Sequence, residues 1–257
     1  MNLSSRKLFI NRFCKSILFC IINPSREKAS ALLAPSVFAQ RRSDFESQRP
    51  PLGKRKFTSR AVEEKIREVK SAIKNAELAW MFENCYPNTL DTTVETGVRD
   101  GKPDSFVITG DIRALWLRDS TAQVTPYLPL VKEDENLKLM IRGLIHRQAH
   151  SVLLDPYANA FLKDLTEKGW DDEPANVPGV HERKWEVDSL CYVIRLSFEF
   201  WKATGDVSAF DAEWENAMRL IVKTFKIEQL KDDSSKYYFV RKTTNMIDAP
   251  PFRGTGN

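Results

Sequence analysis

The sequence predicts an all-α fold of antiparallel helical hairpins, and three observations carry that prediction. Apolar residues recur at helical spacing in four long segments. Between several of them lie polar loops that gather aspartate, arginine and tryptophan. No Gly-rich phosphate turn, Ser nucleophile elbow or P-loop accompanies the short β-branched runs, so a doubly wound sheet is not indicated. Helices joined in this way pack back to back and bring their loops to one end, where a site can form. Short β-hairpins are expected as insertions.

The chain of 257 residues, 42% hydrophobic, suffices for one large domain or two small ones. Its net charge of +4 is unevenly placed: the first 60 residues carry 13 Lys/Arg against 3 Asp/Glu, which leaves the remainder about six charges negative. That balance argues against nucleic acid as a partner of the folded part. Residues 1–39 have a leader's features. A basic start (Arg6, Lys7, Arg12, Lys15) precedes the apolar run Ile17 to Ile22, and Val37-Phe38-Ala39 has the small-residue pattern of a cleavage site before Gln40. Export to the periplasm or outside the cell is expected if this leader is a true signal peptide, and a cytoplasmic location otherwise. No run approaches the length of a membrane-spanning helix, so no membrane contact is expected once the leader is removed. Cys85 and Cys191 in the body lack metal-type spacing and are expected to be buried thiols on helices, with a Cys85–Cys191 bridge as the alternative in an exported protein.

Taken in order, residues 40–57 are polar and read as an extended lead-in on the surface. Ser59 is a fair N-cap, and Val62, Ile66, Val69 and Ile73 predict a helix running to about Phe82. Pro87-Asn88 turns the chain. Asp100-Gly101 centres a hairpin-type loop over 97–105, between short strands at Thr92–Thr96 and Phe106–Thr109. Gly110 and Asp111 then turn, and Ser120 with Gln123 has capping-box spacing, which predicts a helix starting at Ser120 and limited by Pro126 and Pro129. A second long helix is expected at about Glu133–Leu153. His146 and His150 lie four apart on it, but lack the third ligand and intervening Glu of a helical zinc motif, so they read as solvated or hydrogen-bonded residues.

Asp155 to Glu186 reads as a long irregular stretch, a length that is often functional, and its Trp170, Asp171, Asp172, His181, Glu182, Arg183, Trp185 and Glu186 suit a polyol, with a solvated loop as the alternative. A third helix over about Val187–Thr204 would turn Leu190, Cys191, Ile194, Phe198 and Trp201 inward and stop at Gly205. A fourth, at about Ser208–Phe225, carries Phe210, Trp214, Ala217 and Ile221 on one face. Lys231–Ser235 reads as a turn, Tyr237–Arg241 as a strand, and Ala249–Asn257 as a Pro/Gly loop.

The densest motif is TGDIRALWLRDS, from Thr109 to Ser120. Trp116, Arg118, Asp119 and Asp111 are the equipment of a sugar site: carboxylate and guanidinium fix hydroxyls in donor and acceptor directions, and indole covers the C–H face. The same residue types also fit an ordinary cap and ion pair, and Asp188, in the first turn of the third helix, also fits compensation of the helix dipole.

Four segments in order, LAWMFENCYPNTLDTTV (Leu78–Val94), TGDIRALWLRDSTAQVTPYL (Thr109–Leu128), DPYANAF (Asp155–Phe161) and ERKWEVDSLCYVIRL (Glu182–Leu196), resemble glycoside hydrolase family 125, the metal-independent exo-acting α-mannosidases. The resemblance covers about residues 57–257 and implies an (α/α)6 barrel, of which 58–257 would be the N-terminal portion, roughly the first half. It implies inverting hydrolysis of terminal α-1,6-linked mannose on oligosaccharides such as N-glycans, with neither metal nor other cofactor. Inversion uses a carboxylic acid and a carboxylate about 6.5–9.5 Å apart. By the resemblance, Arg118 and Asp119 help hold the mannose, and Asn159 and Asp188 lie nearby. The family's acid lies in a Phe-Arg-Pro-Ser-Asp-Asp stretch and its base nearer the C-terminus, so both are expected beyond Asn257. The chain by itself is then expected to be inactive, with a non-catalytic mannose-binding remnant as the alternative and an unrelated helical enzyme using Asp119 and Asp188 as a third reading.

Overall fold

The structure, a computed structural model, describes residues 45–229, 235–242 and 246–248, the last three by backbone alone. The leader region 1–39, the turn at 231–234 and the loop at 249–257 lie outside the described residues. The chain is mostly helical, with three small antiparallel sheets. A 3-10 turn at Leu52–Lys54 leads to α1 (Arg60–Ala72), α2 (Ala76–Cys85) and α3 (Asn88–Thr92), then to the hairpin β1 (Val94–Arg99) and β2 (Lys102–Val107). The strand β3 (Leu115–Trp116) runs directly into α4 (Leu117–Val124), which passes into a 3-10 segment at Thr125–Leu130. There follow α5 (Glu135–Leu154), β4 (Ala160–Phe161), β5 (Asp172–Glu173), β6 (Val180–Glu182), α6 (Val187–Thr204), α7 (Ala212–Glu228), β7 (Phe239–Arg241) and β8 (Met246–Asp248). Among the described residues no helix is long and apolar enough to cross a membrane.

The helix starts follow their capping residues. Ser59 accepts from the Val62 N–H and donates its hydroxyl to Asp134, whose own carboxylate caps α5 by accepting from Asn136 and Leu137. One hydrogen bond of 2.7 Å thus ties the starts of α1 and α5 together. The single helix expected to reach Phe82 is instead two. Asn75 accepts from the Leu78 N–H and starts α2 afresh, because an Asx side chain competes for helix N–H groups that an uninterrupted helix would use. Asp211 caps α7, later than the expected start at Ser208, and Gly205 ends α6 at φ 71°. That left-handed terminus is one a glycine adopts without strain.

The hairpin is longer than expected. Asp100 (φ 53°) and Gly101 (φ 77°) both take the left-handed conformation of a two-residue turn, so β1 and β2 pair from Arg99–Lys102 back to Val94–Val107, and most of 97–105 is strand. The capping box at Ser120 does not form. The helix begins three residues earlier, at Leu117, and Ser120 is fully buried inside it, donating to the Leu117 carbonyl and accepting from Gln148 Nε2 at 2.9 Å. Gln123 donates to the Ile108 carbonyl instead.

Helix α5 is the axis of the packing, with every residue from Gly143 to Ala149 buried. It lies against β2, α6 and α7. A β-carbon at Gly143 would fall 2.6 Å from the Ser105 hydroxyl and 2.9 Å from the Asp104 carbonyl carbon, so glycine is what permits the close approach to β2. Each polar residue on this buried stretch has at least one partner, although His146 Nε2 and Gln148 Oε1 have none among the described protein atoms. Arg147 grips both carboxylate oxygens of Asp104, Gln148 reaches Leu117, Ser120 and Thr121, and His146 places Nδ1 2.9 Å from the Pro103 carbonyl. A carbonyl only accepts, so that nitrogen carries the proton.

Two expectations about burial are corrected. On α6 the inward side is Leu190, Val193, Leu196 and Phe200, while Cys191, Ile194, Phe198 and Trp201 are exposed, Phe198 by 52%. Both sides of this helix are apolar, so periodicity alone could not choose between them. Cys85 is likewise exposed, near the end of α2. The lead-in, by contrast, is anchored more firmly than a surface strand. Arg49 is buried against Asp91 and Glu63, and Lys56 and Phe57 donate to the carbonyls of Asp91 and Leu90.

Candidate functional site

The loop expected to be irregular from Asp155 to Glu186 contains strands that build the site's floor. β4 pairs with β3 through Trp116–Ala160 and Leu115–Phe161, and with β6 through Ala160–Glu182. This three-stranded sheet sets Asn159 against the start of α4: the Asn159 carbonyl accepts from the Leu117 N–H at 3.1 Å. Strands of two or three residues carry no period a sequence can display, which is why they were not foreseen.

Helices α4 and α6 pack together, and their first turns bring three carboxylates to one guanidinium. Arg118 Nη1 donates to Glu186 Oε2 at 3.2 Å and to Asp188 Oδ2 at 3.1 Å, while Nη2 stands 3.6 Å from Asp119 Oδ2. Ser189 braces Glu186 by donating to it at 3.3 Å. Burial works against the Arg118 charge, but the hydrogen bond it donates to Asp188 and the fields of Glu186 and Asp119 outweigh it and hold its pKa above the ordinary arginine value. Lys184 stands 3.9 Å from Glu186 Oε1, so three acids meet two bases, and the one negative charge in surplus is eased by two helix N-termini. The group remains partly open, with Arg118 38% exposed, so it can offer both donors and acceptors to a polar ligand.

An aromatic cluster begins at Trp116, the N-cap residue of the helix that carries Arg118. Trp116 meets His181 edge-on with ring centres 5.4 Å apart, and His181 lies 4.7 Å from Trp170. Arg241 covers the Trp170 ring at 4.0 Å and forms ion pairs with Asp172 and Glu182, which joins β7 to β5 and β6. Burial first, and then the charge of Arg241, push the His181 pKa down against the opposing effect of Glu182 and Asp172. Among the described residues no group of three or more His, Cys, Asp or Glu is arranged to hold a metal ion.

The family model described as metal-independent alpha-mannosidase, GH125, matches residues 75–257. The chain belongs to the GH125 family. This GH125 chain is 37% identical over 227 residues to the meiotically up-regulated gene 157 protein of Schizosaccharomyces pombe, which spans 81% of the chain and 45% of that protein. Its fold also matches a metal-independent alpha mannosidase of Streptococcus pneumoniae, solved as a non-productive complex with alpha-1,6-mannobiose. The TM-score is 0.69 at 42% identity, over 79% of this chain and 47% of that one. The GH125 chain therefore spans about half the length of each of these relatives.

Of the residues that the sequence marks for a site, Arg118, Asp119 and Asp188 come together around the guanidinium in this GH125 chain. Trp116 and Asn159 sit on the adjoining sheet. Asp111 is exposed on the tight turn between Thr109 and Ile112. Trp116, Arg118 and Asp119 do not precede a helix, as the Ser120 cap would have had it: Trp116 is the residue at the N-cap and the other two occupy the first turn. Glu182 and Glu186, already named in the polar stretch before the third helix, enter the arrangement, and so does Arg241, which was not singled out. For Glu186 a signal exists, an acid immediately before a helix start; for Arg241, which reaches the site across 59 residues to Glu182, there is none.

Proposed function

We propose that this chain forms part of an (α/α)6 glycosidase domain and holds the terminal mannose of an α-1,6-linked oligosaccharide at Arg118, Asp119 and Asp188. The observation that carries the reading is the Arg118 guanidinium, partly open and met by three carboxylates, on a helix whose N-cap residue, Trp116, packs its indole against that of Trp170. Mannose presents vicinal hydroxyls, each both donor and acceptor, and a C–H face, and this set supplies a partner to each. Membership of GH125 and the alpha-1,6-mannobiose complex of the pneumococcal relative support the substrate class and linkage.

The reaction proposed for the whole domain is metal-independent, inverting hydrolysis. One carboxylic acid protonates the departing oxygen, and one carboxylate activates water on the opposite face of the ring. Asp119, Glu186 and Asp188 are engaged with Arg118, which is the arrangement of a hydrogen-bonding grip rather than of a proton donor. We therefore assign these residues to binding and place the acid and base outside the described residues. Calorimetric titration of the full chain with mannose tests the assignment, with saturable binding weakened at least about tenfold in Asp119→Asn. Release of mannose from α-1,6-mannobiose by this chain, abolished in Asp119→Asn or Asp188→Asn, would overturn it.

A further inference from the structure

The N–H groups of the Arg118 guanidinium are not used evenly. Nη1 donates to Glu186 Oε2 at 3.2 Å and to Asp188 Oδ2 at 3.1 Å, which commits both of its hydrogens. Nη2 has Asp119 Oδ2 at 3.6 Å, too far for a hydrogen bond, and no described residue accepts from Nε. Neither Nε nor Nη2 is a buried atom, so this edge of the guanidinium is within reach of a ligand. The N–H bonds along it run parallel and form a fork that fits two adjacent oxygen atoms. Such a fork commonly takes an anion, but three carboxylates against two cations make the surroundings negative, which favours a neutral pair of hydroxyls.

Glu186 is the less expected of the two acids on Nη1. It stands at the N-cap of α6, yet its side chain accepts no N–H of that helix, and glutamate is not among the residues that cap well. Its Oε2 turns instead across to α4, braced from the buried side by the hydroxyl of Ser189, itself 2% exposed. We propose that Glu186 is a positioning residue: together with Asp188 it pins Nη1, fixes the plane of the guanidinium and presents the Nε–Nη2 edge to two vicinal hydroxyls of the bound mannose. This deepens the mannose-binding reading and rests on it. Glu186 acts through Arg118 and touches no sugar itself. Removing Glu186 leaves the fork in place but free to turn, so its loss and the loss of the fork should cost the same pair of hydrogen bonds.

The test is calorimetric titration of the full-length chain with mannose and with its singly deoxygenated analogues, for wild type, Glu186→Ala, Arg118→Lys and the double variant. Far-UV circular dichroism and the thermal midpoint serve as fold controls. Two analogues lacking neighbouring hydroxyls should each bind wild type about tenfold less tightly than mannose does. Arg118→Lys, which keeps the charge but loses the fork, is expected to bind mannose about tenfold more weakly and to shrink that preference. Glu186→Ala should lose affinity for mannose about fivefold and far less for the same two analogues, and the double variant should bind no more weakly than Arg118→Lys. If Glu186→Ala fails to fold, Glu186→Gln, which keeps the shape but loses the charge, is expected to show the same signature in milder form. Inorganic phosphate, which fits a fork but is charged, should not compete with mannose; competition would overturn the neutral-diol assignment. An equal loss for every sugar, losses that multiply in the double variant, or wild-type mannose affinity in Glu186→Ala would overturn the positioning role while mannose binding stands. A folded wild-type chain that binds no mannose would overturn the binding reading and this role together.

Discussion

Replacing Arg49 by alanine probes the clamp that holds the first described segment to the helices. Arg49 places Nε 2.7 Å from Asp91 Oδ2 and Nη2 3.1 Å from Asp91 Oδ1, and it donates twice more to Glu63 at 3.0 and 2.5 Å. Its side chain is 5% exposed, that of Asp91 2% and that of Glu63 25%. Without it Asp91 keeps only the more distant Arg55, at 3.6 Å, among its described ion pairs. Breaking a buried pair from one side costs about 3–5 kcal/mol. Because Glu63 is partly wet and retains Arg55 at 3.0 Å, the lower end, about 3 kcal/mol, is expected. For a domain of this size that lowers Tm by roughly 6–12 °C. The acid side adds a second signature. The hydrogen bond from Arg49, ahead of an opposing desolvation, holds the Glu63 carboxyl below its usual 4.5. A depressed folded pKa contributes stability above the unfolded value and loses it as pH falls through the folded one, so the gap between wild type and Arg49→Ala should narrow below about pH 4. Urea unfolding at pH 7 and again near pH 3 measures both. A loss under about 1 kcal/mol at pH 7, the scale of a surface pair, or a gap that does not narrow in acid would refute the reasoning.

Three further outcomes follow from the packing. Gly143→Ala drives a methyl into Ser105 and the Asp104 backbone and should cost about 1–3 kcal/mol in urea unfolding. Phe198→Ala, on the exposed side of α6, should change stability by less than about 0.5 kcal/mol, whereas Phe200→Ala, fully buried two residues on, should cost about 3–5 kcal/mol. The reverse order would restore the inward face first expected from the sequence. His181 should titrate below 6.5 by NMR, since burial favours its neutral form; the stability tied to it is present above 6.5 and declines as pH falls through the folded value. A midpoint at or above 6.5 would contradict that burial.

Local signals that name one chemistry were legible. Ser59, Gly205 and Asp100-Gly101 each require a specific backbone state, and the structure puts a cap, a left-handed helix end and a two-residue turn at those positions. Ser120 carried an equally good capping signal and lost it to tertiary demand, because Gln148 on α5 needs its hydroxyl as an acceptor inside the core. Of the site, Arg118, Asp119 and Asp188 could be singled out because each sits in a dense polar motif, while their convergence depended on α4 packing against α6. Arg241 could not be found at all: its relation to Glu182 exists only because two short strands, β5 and β7, bring distant chain together.

The central claim is that mannose is held at the Arg118 guanidinium. A crystal structure of the full chain soaked with mannose tests it most directly. The account predicts a sugar with hydroxyls on Arg118, Asp119 and Asp188 and its C–H face toward Trp116 or Trp170. A mannose bound elsewhere, with Arg118 still engaged only by its carboxylates, would contradict it.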